Sequence, residues 1–265
     1  MAPGKIEELQ DSDSDAEFED VPMTRRIGGD DVEIPISRPS PTWTPALSLP
    51  LQRAGPLASG SEEETQLRGQ ISTGVERITY RKMKSDIGMD APDTPPTHRR
   101  YDSFAQLADD VSGLVDLLWA SATPAIQTEA LITLAGLTQI SLPSFAFSAE
   151  ATLSIFHKFD SVFAALCTST HPITGAALPG AVIGQSLATE TQKVRIRSLA
   201  ERTRYQVFSC LATSGASAGN EDGDEELEEP DEPWMLEATK VYEKSLMLLA
   251  EQNDVTVEGD DEFTC

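Results

Sequence analysis

The sequence has few of the residues that build catalytic or metal-binding sites. It contains three cysteines and three histidines in 265 residues, and they do not form the paired CxxC or HxxxH spacing of a zinc site. No GxxxxGK[ST] phosphate loop and no GxGxxG, HExxH or GxSxG motif occurs. We therefore predict no catalytic, cofactor-binding or metal-binding residue, and the sequence disfavours an enzyme.

The sequence also lacks a run of about twenty apolar residues, which a membrane-spanning helix needs. The least charged stretch lies between Leu117 and His157 and carries only Glu129 and Glu150, but prolines, glutamines and serines interrupt it. The acidic N-terminus has neither the apolar core of a signal peptide nor the arginines of a transit peptide. We expect no membrane span and an intracellular protein, nuclear or cytoplasmic, whose three separate thiols fit a reducing compartment.

Positive charge is scarce, but the excess of acids is confined to a few segments. The formal net charge is −24, and residues 1–33 alone hold eleven acids and three bases. Residues 221–232 hold nine acids and residues 251–265 hold six, so the remainder of the chain has a net charge of about −1. The acidity therefore predicts solvated tails and one polar loop, and it does not describe a folded surface.

The first hundred residues have too few large apolar side chains to form a core. They hold eleven of the seventeen prolines and three of the sixteen aromatic residues. We predict that residues 1–100 are a disordered acidic and proline-rich region. Three features stand out in it: Ser12 and Ser14 in an acidic run that suits an acid-directed kinase, Trp43 among prolines as a docking anchor, and residues 75–84 as a basic patch that forms a short helix on binding or serves in nuclear import.

Helical periodicity begins after residue 100. Apolar residues recur on one face from Phe104 to Trp119, and Thr123-Pro124 then marks the start of a second helix that is apolar on nearly every side. A third helix is predicted over about 149–168, a fourth from Thr189 to about Leu211, and a last from Pro233. The pattern predicts an all-α fold, a four- or five-helix bundle over residues 101–253, with a disordered loop at 214–232 and an acidic tail at 254–265.

The fourth predicted helix carries a cluster of arginines. Arg195 and Arg202 flank one side of its apolar stripe, and Arg197 and Arg204 flank the other. Arginines in such positions often cover the seam between helices and pair with carboxylates of neighbouring helices. The alternative is that these four residues bind a partner or nucleic acid through phosphate contacts.

Three blocks of the sequence resemble a known family. They are the run from Tyr101 to Asp110 with Leu117-Leu118-Trp119, the Leu142-Pro143-Ser144-Phe145 tetrapeptide, and the run from Lys193 to Arg204. Together they resemble a family of mostly uncharacterised filamentous-fungal proteins, some of which carry the label of a meiotic recombination protein. The resemblance covers roughly residues 99–250. Since the chain has no phosphate loop, it implies at most an accessory role in recombination.

Two hypotheses of function follow from these observations. The first is a non-enzymatic protein-interaction scaffold or regulatory subunit that binds a protein partner. The second is a nucleic-acid-associated accessory factor in meiotic recombination or DNA repair that uses the four arginines.

Overall fold

The structure is a computed structural model, and it describes residues 47–182, 184–217 and 232–257. Within these ranges it contains seven α-helices and no strand beyond a single bridge between Thr170 and Ala177. The all-α prediction is confirmed. The helices are α1 (Glu62–Ile87), α2 (Phe104–Ser121), α3 (Pro124–Ser141), α4 (Ala149–Thr168), α5 (Glu190–Ser217), α6 (Glu232–Thr239) and α7 (Glu243–Val257).

Helices α2 and α3 form the predicted hairpin at the centre of the fold. The Ser103 hydroxyl accepts a hydrogen bond from the Gln106 N–H at 3.4 Å and so caps α2, while Pro124 occupies the first turn of α3. The Thr123 hydroxyl does not cap α3. It donates to the Ser121 carbonyl at 2.9 Å and accepts from the Leu57 N–H at 3.1 Å, so it ties the turn to the segment before α1.

Helix α4 is the most deeply buried helix, and it packs against both α2 and α7. Its rings stack with Tyr242 from the other end of the chain: the Phe156 and Phe163 ring centroids lie 6.0 Å and 6.2 Å from that of Tyr242. Offset and tilted aromatic contacts of this kind add to the free energy of apolar burial. The core therefore joins the sequence-central helices to the last helix, as expected for a bundle.

The C-terminal part differs from its prediction at two points. Helix α5 continues to Ser217, so residues 214–217 are helical and do not belong to the predicted loop. The single last helix is in fact two, because the chain turns between Thr239 and Glu243, where Tyr242 adopts a φ of 56°. This left-handed conformation is costly for a bulky residue. It is held by the complete burial of the Tyr242 side chain.

The prediction of a disordered region through residue 100 is wrong for residues 62–87, which form α1. Its first turn is capped by the Ser61 hydroxyl, which accepts from the Glu64 N–H at 3.1 Å, and it ends at Gly88 with a φ of 73°. A narrow stripe of Leu67, Ile71 and Ile78 is buried. Helix α1 is stable because this stripe has the surface of α2 to pack against, which the composition of residues 1–100 does not reveal.

The acidic segments lie mostly outside the described residues. Ser12, Ser14 and the rest of residues 1–46, the acidic run at 218–231 and residues 258–265 all fall there, so the phosphorylation of the two serines stays a prediction. Residues 254–257 belong to α7 and not to the predicted tail. None of the helices in the described ranges combines the length and the apolar character needed to cross a membrane.

Candidate partner-binding surfaces

Arg195, the first of the four predicted arginines on α5, pairs with a carboxylate of α3. The Arg195 Nη1 atom donates to the Glu129 Oε2 atom of α3 at 2.7 Å, and Gln192 donates to the other oxygen of the same carboxylate at 3.0 Å. The hydrogen bond from Gln192, followed by that from Arg195, lowers the pKa of Glu129. The carboxylate therefore joins two turns of α5 to α3.

The other three arginines have partners within the molecule as well. Arg197 pairs with Glu201 on its own helix at 3.0 Å, and Arg202 donates to the Ser198 carbonyl at 3.2 Å. Arg204 reaches across to the end of α6 and donates to the Thr239 carbonyl at 3.0 Å. Two of the four guanidinium groups thus bind other helices and two bind within α5. They do not converge on one solvent-facing patch.

The outward face of α1 carries an apolar stripe that sequence reasoning missed. Tyr80, Met83 and Ile87 are 45%, 47% and 61% exposed. Residues three, four and seven positions apart share one face of a helix, and this face is opposite the one that buries Ile71 and Ile78. The basic patch predicted at residues 75–84 is therefore the rim of an exposed apolar stripe on a formed helix.

Basic side chains border one flank of the stripe. The Lys84 ammonium lies 4.8 Å from the Tyr80 ring centroid and 3.7 Å from the Asp90 carboxylate. Arg77, one turn before Tyr80, forms no ion pair with any residue in the described ranges. An apolar stripe of this spacing with a cationic flank is the pattern that amphipathic helices present to a groove on a partner.

A polar clamp fixes this end of α1 against α2. The Arg81 guanidinium pairs with the Asp110 carboxylate at 2.5 Å and lies 3.9 Å over the Tyr101 ring. The Tyr101 hydroxyl donates to the same carboxylate at 2.7 Å. Burial, together with this hydrogen bond to Asp110, raises the pKa of Tyr101. The stripe is therefore displayed on a helix whose orientation is fixed.

Helices α2 and α4 border a groove of about 480 Å³. Its walls are mostly small side chains, and Lys158 also lines it. The Lys158 ammonium donates to the Ser112 hydroxyl at 2.8 Å and forms an ion pair with the Asp116 carboxylate at 2.7 Å. The groove is also lined by Ala105, Ala108 and Asp109 of α2, by Glu150, Ala151 and Ser154 of α4, and by Leu47 and Ser48.

The start of α7 is held by a buried carboxylate. Asp160 of α4 accepts hydrogen bonds from the Ser245 N–H at 2.8 Å, the Ser245 hydroxyl at 2.7 Å and the Lys244 N–H at 3.2 Å. These backbone donors belong to the first turn of a helix, where they have no intrahelical acceptor. Burial raises the pKa of Asp160, and the bonds from Ser245 oppose that rise. An aspartate inside an apolar helical run was the available sequence signal.

Two further titratable side chains of α4, His157 and Cys167, are largely shielded from solvent. The His157 Nε2 atom lies 3.9 Å from the Glu237 carboxylate, and burial lowers the pKa of His157. Burial also raises the pKa of the Cys167 thiol to about 11, so that the reactive thiolate is scarce at neutral pH. In the described part of the chain, no three His, Cys, Asp or Glu side chains lie together as metal ligands would.

One comparison with known proteins gives a match. No curated protein and no solved structure matches the chain. The model of a family described as subunit 11 of the general transcription factor TFIIH, TFB6, matches residues 100–250, more than half of the chain. This span is nearly that of the resemblance found in the sequence, but a meiotic recombination label is not part of the description and stays a prediction. The chain belongs to the TFIIH subunit 11 family.

Proposed function

We propose that this chain is a non-enzymatic accessory subunit of the general transcription factor TFIIH and acts in the nucleus. Membership of the family over residues 100–250 supports the assembly and the compartment. This proposal agrees with the scaffold or regulatory role predicted from the sequence, because an accessory subunit acts by binding other proteins.

The observation that carries this function at the level of residues is the outward stripe on α1. The exposure of Tyr80, Met83 and Ile87 to water is unfavourable. Neighbouring exposed apolar residues of this kind mark an interaction surface more often than scattered ones do. The inner face of α1 is already packed on α2, so the stripe is free for another chain. We assign it to an apolar groove on a TFIIH subunit.

The charge beside the stripe indicates which charge the partner's groove should carry. Arg77 lies on this flank of the helix, so an acidic edge on the partner would face it, whereas Lys84 is already paired with Asp90 within the chain. Complementary charges of this kind orient a helix in its groove and raise the association rate more than they raise affinity. The apolar residues would then supply most of the binding free energy.

Co-purification from the native organism tests the proposal. The full chain carries an affinity tag, and TFIIH subunits are quantified by mass spectrometry against a tag-only control. The double variant Met83→Glu/Ile87→Glu should recover at least about tenfold less TFIIH, since it places two charges in an apolar contact. Val194→Glu, at an apolar position on α5 that is 69% exposed, is the control and should recover the same amount as the unmodified chain.

The possible results distinguish association with TFIIH from the assignment of the α1 stripe as the binding surface. If the unmodified chain recovers no TFIIH subunit above the control, the proposed function is wrong. If it recovers TFIIH and the double variant does so equally well, the function stands and the assignment of the α1 stripe is wrong. Far-UV circular dichroism of the variants should show unchanged helix content, because both positions on α1 are exposed.

The nucleic-acid function predicted from the sequence is the second candidate. It rests on Arg195, Arg197, Arg202 and Arg204, and it ranks below the first because each of these guanidinium groups already has a partner within the chain. Phosphate contacts are strongest at low salt. A titration of the full chain with duplex DNA at low salt that shows no binding would exclude it.

A further inference from the structure

A second groove adjoins the groove between α2 and α4. It lies between α4 and α7, has a volume of about 370 Å³, and is lined by Ala164 and Thr168 of α4 and by Met247 and Leu248 of α7. Ser161 and Lys244 line both grooves. The two grooves therefore meet at this pair of residues and form one continuous depression, which we call the α4 trough.

The floor of the α4 trough is one face of α4. Ala151, Ser154, Ser161, Ala164 and Thr168 follow one another at intervals of three, four or seven residues, which is the spacing of one helical face. At the rise of an α-helix, this face is about 26 Å long. The distance between packed helices depends on the side chains at their contact, so small residues here allow another chain to approach α4 closely.

The wall that α7 contributes leaves apolar surface in contact with water. Met247 is 59% exposed and Leu248 is half-buried. Both line the second groove. Apolar side chains of another molecule that entered the trough would cover them, and this burial is favourable.

A positive charge without an ion-pair partner lies where the two grooves meet. The Lys244 ammonium donates to the Ser161 hydroxyl at 3.5 Å, and it forms no ion pair within the part of the chain that the structure describes. The nearby Asp160 carboxylate is buried and already accepts two hydrogen bonds from Ser245. Lys244 therefore offers its charge to a carboxylate of another molecule.

Unpaired carboxylates lie on either side of this ammonium. Asp109 and Glu150 line only the first groove, between α2 and α4, whereas Glu251 lines only the second. None of the three forms an ion pair with a residue in ranges 47–182, 184–217 and 232–257. An occupant of complementary charge therefore carries an acidic residue opposite Lys244 and basic residues towards both of its ends.

The walls of the α4 trough favour a helical occupant over an extended one. An extended peptide gains affinity by pairing its backbone with the edge of a sheet. The described ranges contain no strand beyond the bridge between Thr170 and Ala177, and the trough is bordered by helices, whose backbone groups are paired internally. A helix brings its own backbone hydrogen bonds and needs only side-chain contacts.

We propose that the α4 trough binds an amphipathic helix of a partner protein, with a carboxylate of that helix paired to Lys244. The apolar side chains of the bound helix pack on Met247, Leu248 and the small residues of α4. No residue of α1 lines the trough, so this is a second interaction surface, and it goes beyond the proposed function. The apolar contacts supply the affinity, and the charged pair fixes the register of the helix.

Carbodiimide cross-linking tests the proposal, because this reagent joins an ammonium to a carboxylate only where the two are in contact. The tagged full chain is purified with its partners from the native organism and cross-linked, and the peptides joined to Lys244 are identified by mass spectrometry. Lys244 should be joined to an Asp or Glu of another protein. The apolar residues of the joined segment should recur every three or four positions, with basic residues on both sides of the acid.

Lys240 is the matched control, because its ammonium already pairs with the Glu237 carboxylate at 2.7 Å. It should be joined to Glu237 within the chain and to no partner. This internal cross-link also reports that α6 and the turn into α7 are folded, so it should be present in every variant.

Two variants show whether the partner lies in the trough. Ser154→Trp places a large ring in the first groove, and Ser198→Trp makes the same change at an exposed position on α5. The ring occupies space that the helix needs, so the yield of the Lys244 cross-link should fall at least about tenfold in Ser154→Trp. Ser198→Trp should leave the yield unchanged.

Three results would overturn the proposal: no Lys244 cross-link to another protein, a cross-link to a segment without helical periodicity, and an equal yield in Ser154→Trp. A Lys244 cross-link to a carboxylate of the chain itself counts as the first of these. A cross-link to a helix of a protein outside TFIIH that Ser154→Trp abolishes would support the α4 trough and count against the proposed function, so the two fail separately.

Discussion

Helices α1 and α2 lie side by side and antiparallel, yet they are attached to the molecule in different ways. Helix α2 buries nine of its eighteen residues, whereas α1 buries five of twenty-six. Polar contacts that start from Arg81 and Ser85 supplement the thin apolar contact of α1. The comparison teaches that α2 is part of the core, while α1 is a covering helix whose outer face is free to bind.

The largest expected loss of stability comes from shortening a buried side chain of α2. Leu118→Ala in α2 removes a fully buried side chain and should lower the free energy of unfolding by about 2–5 kcal/mol. Leu67→Ala in α1 should cost less, because the edge of the contact can relax. Urea unfolding followed by circular dichroism measures both. Equal losses would mean that α1 is as much a part of the core as α2.

Gly74→Ala tests how closely α1 approaches α2. A Cβ atom at Gly74 would lie 2.6 Å and 2.8 Å from the two methyl groups of Leu114, so either the buried Leu114 side chain or one of the two helices must shift. We expect a loss of about 1–3 kcal/mol in the free energy of unfolding. Gly69→Ala meets nothing within 4 Å and should instead stabilise α1 by about 0.5–1 kcal/mol.

A compensating variant makes the Gly74 result specific. Leu114→Ala removes the methyl groups that the new Cβ atom would meet, so Gly74→Ala should cost less in that background than in the unmodified chain. Thermal unfolding of the four proteins measures the coupling. Strictly additive effects would show that the helices are not in contact at this point.

Arg81→Ala tests the polar clamp and should cost about 1–2 kcal/mol. The Arg81 side chain is only 13% exposed, and its loss leaves Asp110 with a half-buried charge that has lost its cation. Arg195→Ala is the matched control: its pair with Glu129 has similar length, but the arginine is 46% exposed. Its removal should cost under about 1 kcal/mol.

Hydrogen exchange locates the effect of the clamp. In Arg81→Ala the amides of α1 should exchange faster while those of α2 remain protected, because α1 can open without the core. Equal acceleration in both helices would contradict the view of α1 as a covering helix.

The smallest effect is a pH dependence that belongs to the bundle and not to α1. Burial lowers the pKa of His157 below its ordinary value of 6.5; Asp160 and Glu237 oppose this shift, and Lys244 and Lys240 reinforce it. As the pH falls below 6.5, the unfolded chain binds a proton that the folded chain does not, so stability is lost. His157→Gln should flatten the slope of unfolding free energy between pH 7 and 5.

Helices α1 and α2 show what the sequence could and could not predict. Helix α2 was predicted because its apolar residues repeat over five turns. Helix α1 was missed because it carries two short apolar stripes, one through Ile71 and Ile78 and one through Tyr80 and Met83, and neither is long enough to predict a helix beside proline-rich sequence. Only the position of α2 decides which stripe is buried.

The C-terminal helices and the arginines of α5 also have features that depend on tertiary packing and could not be predicted from local sequence. The apolar register runs through Val241 and Tyr242 without a glycine or proline, so the turn between α6 and α7 has no local signal. The sequence suggested that the arginines pair with carboxylates of neighbouring helices. It could not identify Glu129 as the partner of Arg195, because Glu129 lies sixty-six positions away in sequence. Contacts at that separation depend on tertiary packing.

The buried carboxylate of Asp160 has a consequence for how the gene can vary. Since this side chain receives the opening turn of α7 directly, the docking position of that helix is specified inside the core rather than by the number of residues that lead to it. We therefore expect that a change in the number of residues between α5 and α6 leaves the position of α7 on α4 unchanged.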